Sequence, residues 1–174
     1  MQHVCHMKNI IDTDHALEYL NRLCSETLMR SLGIRYTDAG AHFLEATMPV
    51  DSRHHQPMGI LHGGATAALA ESVASAASGL ELHGTSRHAV GLELSINHIR
   101  SVREGTVTAR ARALHIGGST HVWEIRIIGE DGRLVAHAKQ TMLVLSQGST
   151  DTESARSRTP RGARRAPDSD RNGC

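Results

Sequence analysis

The chain has 174 residues, with 19 basic (Lys and Arg) and 18 acidic side chains and 2% aromatic residues, which suits one domain and gives no electrostatic reason to expect nucleic-acid binding. No stretch approaches the run of about 20 apolar residues that spans a bilayer, and the first residues lack the apolar segment of a signal peptide, so we expect a soluble, cytoplasmic protein with no membrane partner. The three cysteines and 13 histidines are scattered and form no ligand motif, so we expect neither a disulfide framework nor a metal site.

The first predicted element is an amphipathic helix that follows a loose N-terminal tail. It extends from Asp14, a candidate N-cap, to about Ser31, and Gly33 is placed to end it. Its apolar residues recur at helical spacing: Ala16, Leu17, Leu20, Leu23, Cys24, Leu28 and Met29. We therefore expect residues 1–32 to form a tail and one extra helix that packs on the outside of a sheet.

The middle of the chain predicts strands around one long helix. Two strands are expected at residues 34–37 and 41–50, on either side of a turn at Asp38-Ala39-Gly40. Residues 64–80 are rich in Ala and free of Pro, which favours a single helix of about four turns. Four further strands are expected at residues 90–100, 106–115, 120–128 and 134–145. This order predicts an α+β domain over residues 33–146, in which an antiparallel sheet wraps the helix.

Two of these strands are expected to end in polar residues that lie on the same face as their buried apolar residues. The buried face that contains Leu92 is expected to continue to His98 and Arg100, and the buried face that contains Ala113 to continue to His115. Cationic and hydrogen-bonding groups at strand ends, beside a Gly-rich turn, are suited to an anionic ligand.

The C-terminal segment is not expected to fold. Residues 147–174 are rich in Ser, Arg, Pro and Gly and contain almost no large apolar residue. Such a composition cannot bury enough surface to offset the entropy of ordering, so we expect a disordered tail.

The start of the long helix is the strongest candidate for a functional site. The first turn of the helix begins at His62, Gly63 and Gly64. The backbone N–H groups of a first turn lack intrahelical acceptors, so they favour a negatively charged oxygen of a ligand. Glu71 and Ser75 lie four residues apart on the polar side of the helix. From this pattern alone, Glu71 is either a solvated charge or an acid that faces a cleft. If the sheet covers this side of the helix, the carboxylate loses its hydration at a cost in free energy unless a cleft lies beside it.

The sequence around this helix start resembles the active-site segment of hotdog-fold acyl-CoA thioesterases. The resemblance covers roughly residues 30–146 and rests on QPMGILHGG at 56–64, LAES at 69–72 and Ser75 in register. Residues of the later strands match too, among them Gly91-Leu92-Glu93 and Trp123. The chain looks most like the PaaI-like branch that includes 1,4-dihydroxy-2-naphthoyl-CoA thioesterase, the proofreading thioesterase of enterobactin synthesis and Arthrobacter-type 4-hydroxybenzoyl-CoA thioesterase.

The resemblance implies a hydrolase that needs no cofactor and acts as a homodimer or a dimer of dimers, with its sites at the subunit interface. The Gly63 amide and Gln56 would polarise the thioester carbonyl. Glu71, contributed across the interface, would be the nucleophile or the general base. Ser75 would orient a water molecule or Glu71, and His62 would help to bind or position the thioester.

The resemblance also implies which residues contact the acyl-CoA substrate. Arg100 is the clearest candidate for a phosphate contact. Met58 stands where family members carry Phe, and its flexible side chain favours a broader or aliphatic acyl range. The implied substrate-binding residues are Met58, Leu61, Gly91, His98, Arg100, Ser101, His115, Gly117, Gly118, Ser119 and Thr120.

The sequence leaves the reaction and the acyl group partly open. We expect hydrolysis of an aryl- or medium-chain acyl-CoA to the free acid and CoA. Two alternatives are a non-catalytic regulator that binds acyl-CoA and a hotdog hydratase or dehydratase that acts on enoyl thioesters. Fold alone does not separate these classes.

Overall fold

The fold is one antiparallel sheet packed around a long central helix, as the sequence predicts. The computed structural model of the protein describes residues 13–146. The helices are α1 (Thr13–Leu23), α2 (Leu28–Ser31) and α3 (Gly63–Glu81), and the strands are β1 (Arg35–Gly40), β2 (Phe43–Val50), β3 (Arg87–His98), β4 (Gly105–Ile116), β5 (Thr120–Gly129) and β6 (Leu134–Ser146). The strands form a single sheet in the order β1-β2-β4-β5-β6-β3. The α3 helix packs against β2 to β6, so the expected hotdog architecture is confirmed.

The core lies between α3 and the sheet because both present small and aliphatic side chains to each other. On α3, Leu69, Ala70, Val73 and Ala74 are fully buried. On the sheet, β2 alternates between buried and half-buried residues, as a strand with one face on a core requires. The fully buried side chains of the sheet include Leu44, Ala46, Met48, Val107, Ala109, Trp123, Ile125, Ile127, Ala136 and Met142.

The N-terminal helix that was predicted as one element is two helices, α1 and α2. Between them, the Thr27 hydroxyl donates to the Cys24 carbonyl at 2.9 Å, and this local bond competes with continuation of the helix. Asp14, the predicted N-cap, lies inside the first turn of α1 instead, where its charge suits the helix dipole. Gly33 does follow the end of α2, with a φ of +63°, as predicted.

The first hairpin turns later than predicted. Residues 38–40, expected as the turn, belong to β1, and the chain reverses at Ala41 and His42. His42 has a φ of +61°, and its Nδ1 lies 2.9 Å from Glu81 Oε1 at the end of α3. This contact links distant parts of the sequence, so the local pattern does not indicate the position of the turn.

Two β-bulges change which face of the sheet the strand residues occupy. In β3 the register shifts between Gly91 and Glu93, and Leu92, predicted on the buried face, is 62% exposed. In β4 it shifts between Ala113 and His115, which pair with consecutive residues of β5. Consecutive strand residues point to opposite faces, so the prediction that Ala113 and His115 share a face is wrong.

The predicted N-terminal and C-terminal tails lie outside the described residues. The division at residues 32 and 146, like the cytoplasmic location, therefore stays a prediction. None of the helices within residues 13–146 combines the length and the apolar character needed to cross a bilayer.

A buried polar cluster joins α3 to β5. Ser78 Oγ accepts from the Trp123 indole N–H at 2.7 Å and lies 3.1 Å from His121 Nδ1. All three side chains are at most 1% exposed. The Ser78 hydroxyl can donate to His121 Nδ1 when the imidazole is neutral. Burial lowers the pKa of His121 and so favours that neutral form.

We expect the protein to lose stability through His121 as the pH falls below about 6.5. The unfolded state then binds a proton that the folded state takes up only at lower pH, so the free energy of unfolding decreases on acidification. His121→Gln keeps a hydrogen-bonding side chain that does not titrate. Urea unfolding at about pH 7.5 and pH 5 should therefore show a smaller loss for this variant than for wild type.

An exposed histidine provides the control for this measurement. His83→Gln makes the same substitution at a histidine that lies on the surface, and its unfolding is measured at the same two pH values. Equal losses in wild type and in His121→Gln would contradict the expectation.

Candidate active site

The first turn of α3 leaves one backbone N–H group open. His62 is the N-cap, and its Nδ1 accepts from the Gly64 N–H at 2.8 Å. The His62 carbonyl accepts from the N–H groups of Ala65 and Thr66 at 3.0 and 3.1 Å. Among the first four N–H groups, only that of Gly63 has no acceptor within residues 13–146. The positive end of the helix dipole reinforces this donor, which suits an oxygen that carries negative charge.

A cavity of about 320 Å³ opens beside Gly63, and we call it the helix-start cavity. Six residues that the sequence predicted for the site meet there: Gln56, Leu61, Gly63, His98, Arg100 and Ser101. Ile60, Thr66, Ile99 and Val135 complete the lining. The predicted groups of the loop before α3 and of the β3 end therefore do come together.

The loop before α3 fixes the orientation of the Gln56 side chain. The Gln56 carbonyl accepts from the Gly59 N–H at 2.9 Å, which closes a tight turn around Pro57. The Gln56 side-chain oxygen accepts from the Met58 N–H. Because this oxygen is engaged, the side-chain NH₂ is the end left to donate beside Gly63. Met58, predicted to contact substrate, is 70% exposed and does not line the cavity.

The end of β3 adds an imidazole and a guanidinium group to the helix-start cavity. A Cβ at position 63 would lie 3.0 Å from His98 Nε2, so the ring packs directly against the glycine. Arg100 is exposed, and no acid pairs with it in the part of the chain that the structure describes. Its guanidinium is therefore available for an anionic group of a ligand.

Glu71 and Ser75 line a second cavity of about 610 Å³, which we call the helix-side cavity. Ser75 Oγ donates to Glu71 Oε1 at 3.2 Å. The walls come from α1, α2 and α3 and are mostly apolar. The lining residues are Tyr19, Leu20, Leu23, Cys24, Leu28, Met29, Tyr36, Ala68, Glu71, Ser72, Ser75, Ala76, Gly79, Leu80 and His83.

The carboxylate of Glu71 rests against the backbone of β3 at Gly91. A Cβ at position 91 would collide with Glu71 Oε1 and would lie 3.0 Å from Gln140 Nε2. Gly91, which the resemblance places near the pantetheine, thus provides the space that the carboxylate occupies. Any larger residue at this position would displace Glu71.

The two halves of the predicted catalytic set remain apart within one chain. Gly63 and Glu71 are eight residues apart on α3, which is about 12 Å along the helix axis. They line different cavities. Gln56 accompanies Gly63, and Ser75 accompanies Glu71, so one chain does not assemble the whole set around a single ligand.

The predicted substrate contacts on the β4–β5 hairpin lie far from the helix-start cavity. Gly117 N–H donates to the Thr120 carbonyl at 2.9 Å, and Arg87, the first residue of β3, donates to the Gly118 carbonyl at 3.2 Å. Because His98 is the last residue of β3, about 36 Å of strand separates the two ends. The hairpin residues predicted for substrate binding are His115, Gly117, Gly118, Ser119 and Thr120.

Sequence analysis missed the wall that the N-terminal helices and β1 contribute. The Tyr36 hydroxyl donates to the Ser72 carbonyl on α3 at 3.1 Å. Burial raises the pKa of Cys24 and of Tyr36, so both keep their protons at neutral pH. Gln140 beside Glu71 was also missed. Within residues 13–146, no group of three or more His, Cys, Asp or Glu side chains is placed to hold a metal ion.

Comparison with known proteins connects this geometry to a family. Residues 58–136 match the family model described as the thioesterase superfamily. The chain is 46% identical over 129 residues to 1,4-dihydroxy-2-naphthoyl-CoA hydrolase of Escherichia coli, across 74% of this chain and 94% of the relative. It is 45% identical over 129 residues to the proofreading thioesterase EntH of Cronobacter turicensis, across 74% of this chain and 93% of the relative.

Solved structures agree with these sequence matches. A thioesterase structure from Haemophilus influenzae aligns with a TM-score of 0.75 at 42% identity, and the alignment covers 78% of this chain and 94% of that chain. A mutant thioesterase from Pseudomonas aeruginosa aligns with a TM-score of 0.73 at 48% identity, across 75% of this chain and 94% of that chain. The chain therefore belongs to the hotdog thioesterase superfamily and is a thioester hydrolase.

Proposed function

We propose that the protein hydrolyses acyl-CoA thioesters in a site composed of two subunits. Gly63 and Gln56 of one subunit bind the thioester carbonyl, and Glu71 of the partner subunit acts on the carbonyl carbon. The observation that carries the proposal is the separation of Gly63 from Glu71 along α3 and their location in different cavities. The acyl-CoA substrate also agrees with the names of the relatives described above.

The exposed edge of β3 supports a twofold dimer. Within the described residues β3 pairs only with β6, so its outer edge presents unpaired backbone groups. Val90 and Leu92 on this strand are 42% and 62% exposed. Antiparallel pairing of β3 with its copy would bring the beginning of one strand beside the end of the other. Glu71 of the partner subunit, which rests on the beginning of its strand, would then approach His98 and Gly63.

The proposed reaction uses the open donors at the helix start. The Gly63 N–H and the Gln56 NH₂ stabilise the negative charge that develops on the thioester oxygen. Glu71 either removes a proton from a water molecule that attacks the carbonyl carbon or attacks that carbon itself. Collapse of the tetrahedral species breaks the carbon–sulfur bond and releases CoA as the thiolate, which takes up a proton. Attack by water yields the free acid directly, whereas attack by Glu71 leaves an acyl–Glu71 anhydride that a water molecule hydrolyses to the free acid and the Glu71 carboxylate. Ser75 holds the carboxylate through its hydrogen bond to Oε1.

The helix-side cavity supports an aliphatic or aryl acyl group. Glu71 lies in its lining, and Leu20, Leu23, Met29 and Leu80 supply apolar surface. Its volume of about 610 Å³ is within the range of small-molecule pockets, about 300–1,000 Å³. Medium-chain acyl groups therefore fit, and so do aryl groups such as those in the names of the relatives.

We expect Glu71→Gln to lower the turnover number by about 10²–10⁴-fold, because the amide is a poor base and a poor nucleophile. Thiol release from benzoyl-, hydroxybenzoyl-, dihydroxynaphthoyl-, hexanoyl- and palmitoyl-CoA measures the effect and the acyl preference together. Glu18→Gln, which removes an exposed carboxylate on α1, is the matched control and should keep wild-type turnover. Full activity in Glu71→Gln would remove this residue from the mechanism.

Two inactive variants should restore activity when they form a mixed dimer. Gly63→Pro deletes the N–H donor, and proline suits the first position of a helix; Gly63→Ala keeps the N–H and is its control for the added Cβ. A mixed dimer of Gly63→Pro and Glu71→Gln holds one intact composite site and one doubly altered site. Random mixing should therefore give about a quarter of wild-type activity.

Each outcome of the mixing experiment distinguishes a shared site from a site within one chain. Recovery after co-refolding, with none in the separate variants, supports the shared site. No recovery, although labelled chains are seen to exchange by mass spectrometry, would place Gly63 and Glu71 in one chain's site.

Filling the helix-side cavity should shorten the acyl group that the protein accepts. Gly79 lines this cavity, and a Cβ built there meets no atom within 4 Å. Gly79→Leu should lower kcat/KM for octanoyl-CoA at least about 10-fold relative to acetyl-CoA, since a blocked pocket loses apolar contact. Leu is also the better helix former, so the melting temperature should not fall. Gly79→Ala is the control, and an unchanged chain-length profile in Gly79→Leu would assign the acyl group to another cavity.

A further inference from the structure

A buried amide with unmet hydrogen-bonding capacity lies beside the Glu71 carboxylate. Gln140 on β6 is 1% exposed, and its Oε1 has no hydrogen-bond partner in the part of the chain that the structure describes. In the sheet it pairs with Trp123 on one side and Leu94 on the other. Buried side-chain amides are usually paired, and an exception calls for an explanation.

The location of the amide indicates what it acts on. Its Nε2 lies 3.0 Å from the point where a Cβ on Gly91 would stand, and Glu71 Oε1 lies close enough to that point to collide with such a Cβ. The NH₂ end of Gln140 and the carboxylate of Glu71 therefore face each other across the space that Gly91 leaves. Ser75 donates to the same carboxylate oxygen from one turn further along α3.

We propose that Gln140 is a positioning residue that holds the Glu71 carboxylate in place for the reaction by donating a hydrogen bond from its side-chain amide. The bond forms when substrate closes the site, because catalytic hydrogen bonds are often long in the ligand-free state and tighten in the complex. Ser75 and Gln140 then hold the carboxylate from two directions. The inference rests on the proposed role of Glu71.

Packing alone does not account for an amide at this position. The neighbours of Gln140 in the sheet are Trp123 and Leu94, and an apolar side chain of similar length would fill the same volume without an unmet acceptor. Replacement of an unpaired buried polar group by an apolar one is neutral or stabilising. The presence of an amide at position 140, rather than an apolar side chain, therefore agrees with a role in holding Glu71.

Two apolar variants, Gln140→Met and Gln140→Leu, test the proposal by separating turnover from stability. We expect kcat for the preferred acyl-CoA to fall at least about 10-fold with KM within about twofold of wild type, because the residue acts on Glu71 rather than on substrate. The melting temperature should stay the same or rise. In the Glu71→Gln background, either change should have no further effect on kcat, since residues that act through one another are not additive.

Wild-type kcat in both variants, or an equal loss in the Glu71→Gln background, would overturn the proposal. A lower melting temperature with unchanged kcat would show that Gln140 serves packing only. Crystal structures of wild type and of Gln140→Met with a bound non-hydrolysable acyl-CoA analogue provide a readout that needs no turnover. Displacement of the Glu71 carboxylate from Gly91 in the variant supports the proposal, and an unmoved carboxylate overturns it, even if wild type proves inactive on every acyl-CoA tested.

Discussion

The length of α3 is the constraint on which the rest of the site depends. One helix carries the proposed oxyanion donor, Gly63, at its first residue and the proposed catalytic acid, Glu71, two turns further on, and its rise of about 1.5 Å per residue keeps them about 12 Å apart. A rigid helix packed on five strands cannot shorten this distance. In the proposed reaction both groups act on one thioester, so they come from two copies of the chain. The geometry of one helix would thus link catalysis to assembly.

Glycine has a steric role at both ends of this arrangement. At the helix start, Gly63 lets the His98 ring pack closely against the backbone. Further along the sheet, Gly91 leaves the space that the Glu71 carboxylate fills. Neither position has a positive φ, so the absence of a Cβ matters here for close approach and not for backbone conformation. The absence of a Cβ thus makes room for the His98 ring beside Gly63 and for the Glu71 carboxylate beside Gly91.

The sequence predicted the elements of this fold well and their irregularities poorly. The Ala-rich run predicted α3, and alternation predicted β2 to β6, because both depend on local periodicity. The irregularities are the bulges at Leu92 and Leu114 and the turn at His42. They depend on contacts between residues that are distant in the sequence, so the local pattern of residue types did not indicate them. The His62–Gly63 start and Glu71 could be proposed as a site from the sequence because they form a motif in register. Gln140, one amide in a strand, had no such motif.

The exposure of Leu92 follows from the same bulge that shifts the register of β3 beside the site. A strand that kept its alternation would have turned this leucine into the core and left a polar edge. The bulge instead places an apolar side chain on an unpaired edge that begins beside Glu71 and ends beside Gly63. An edge of this kind can pair with another strand, and in the proposed dimer that strand is its own copy, which also completes the proposed site. The irregularity in β3 would then favour both the pairing of subunits and the meeting of Gly63 with Glu71.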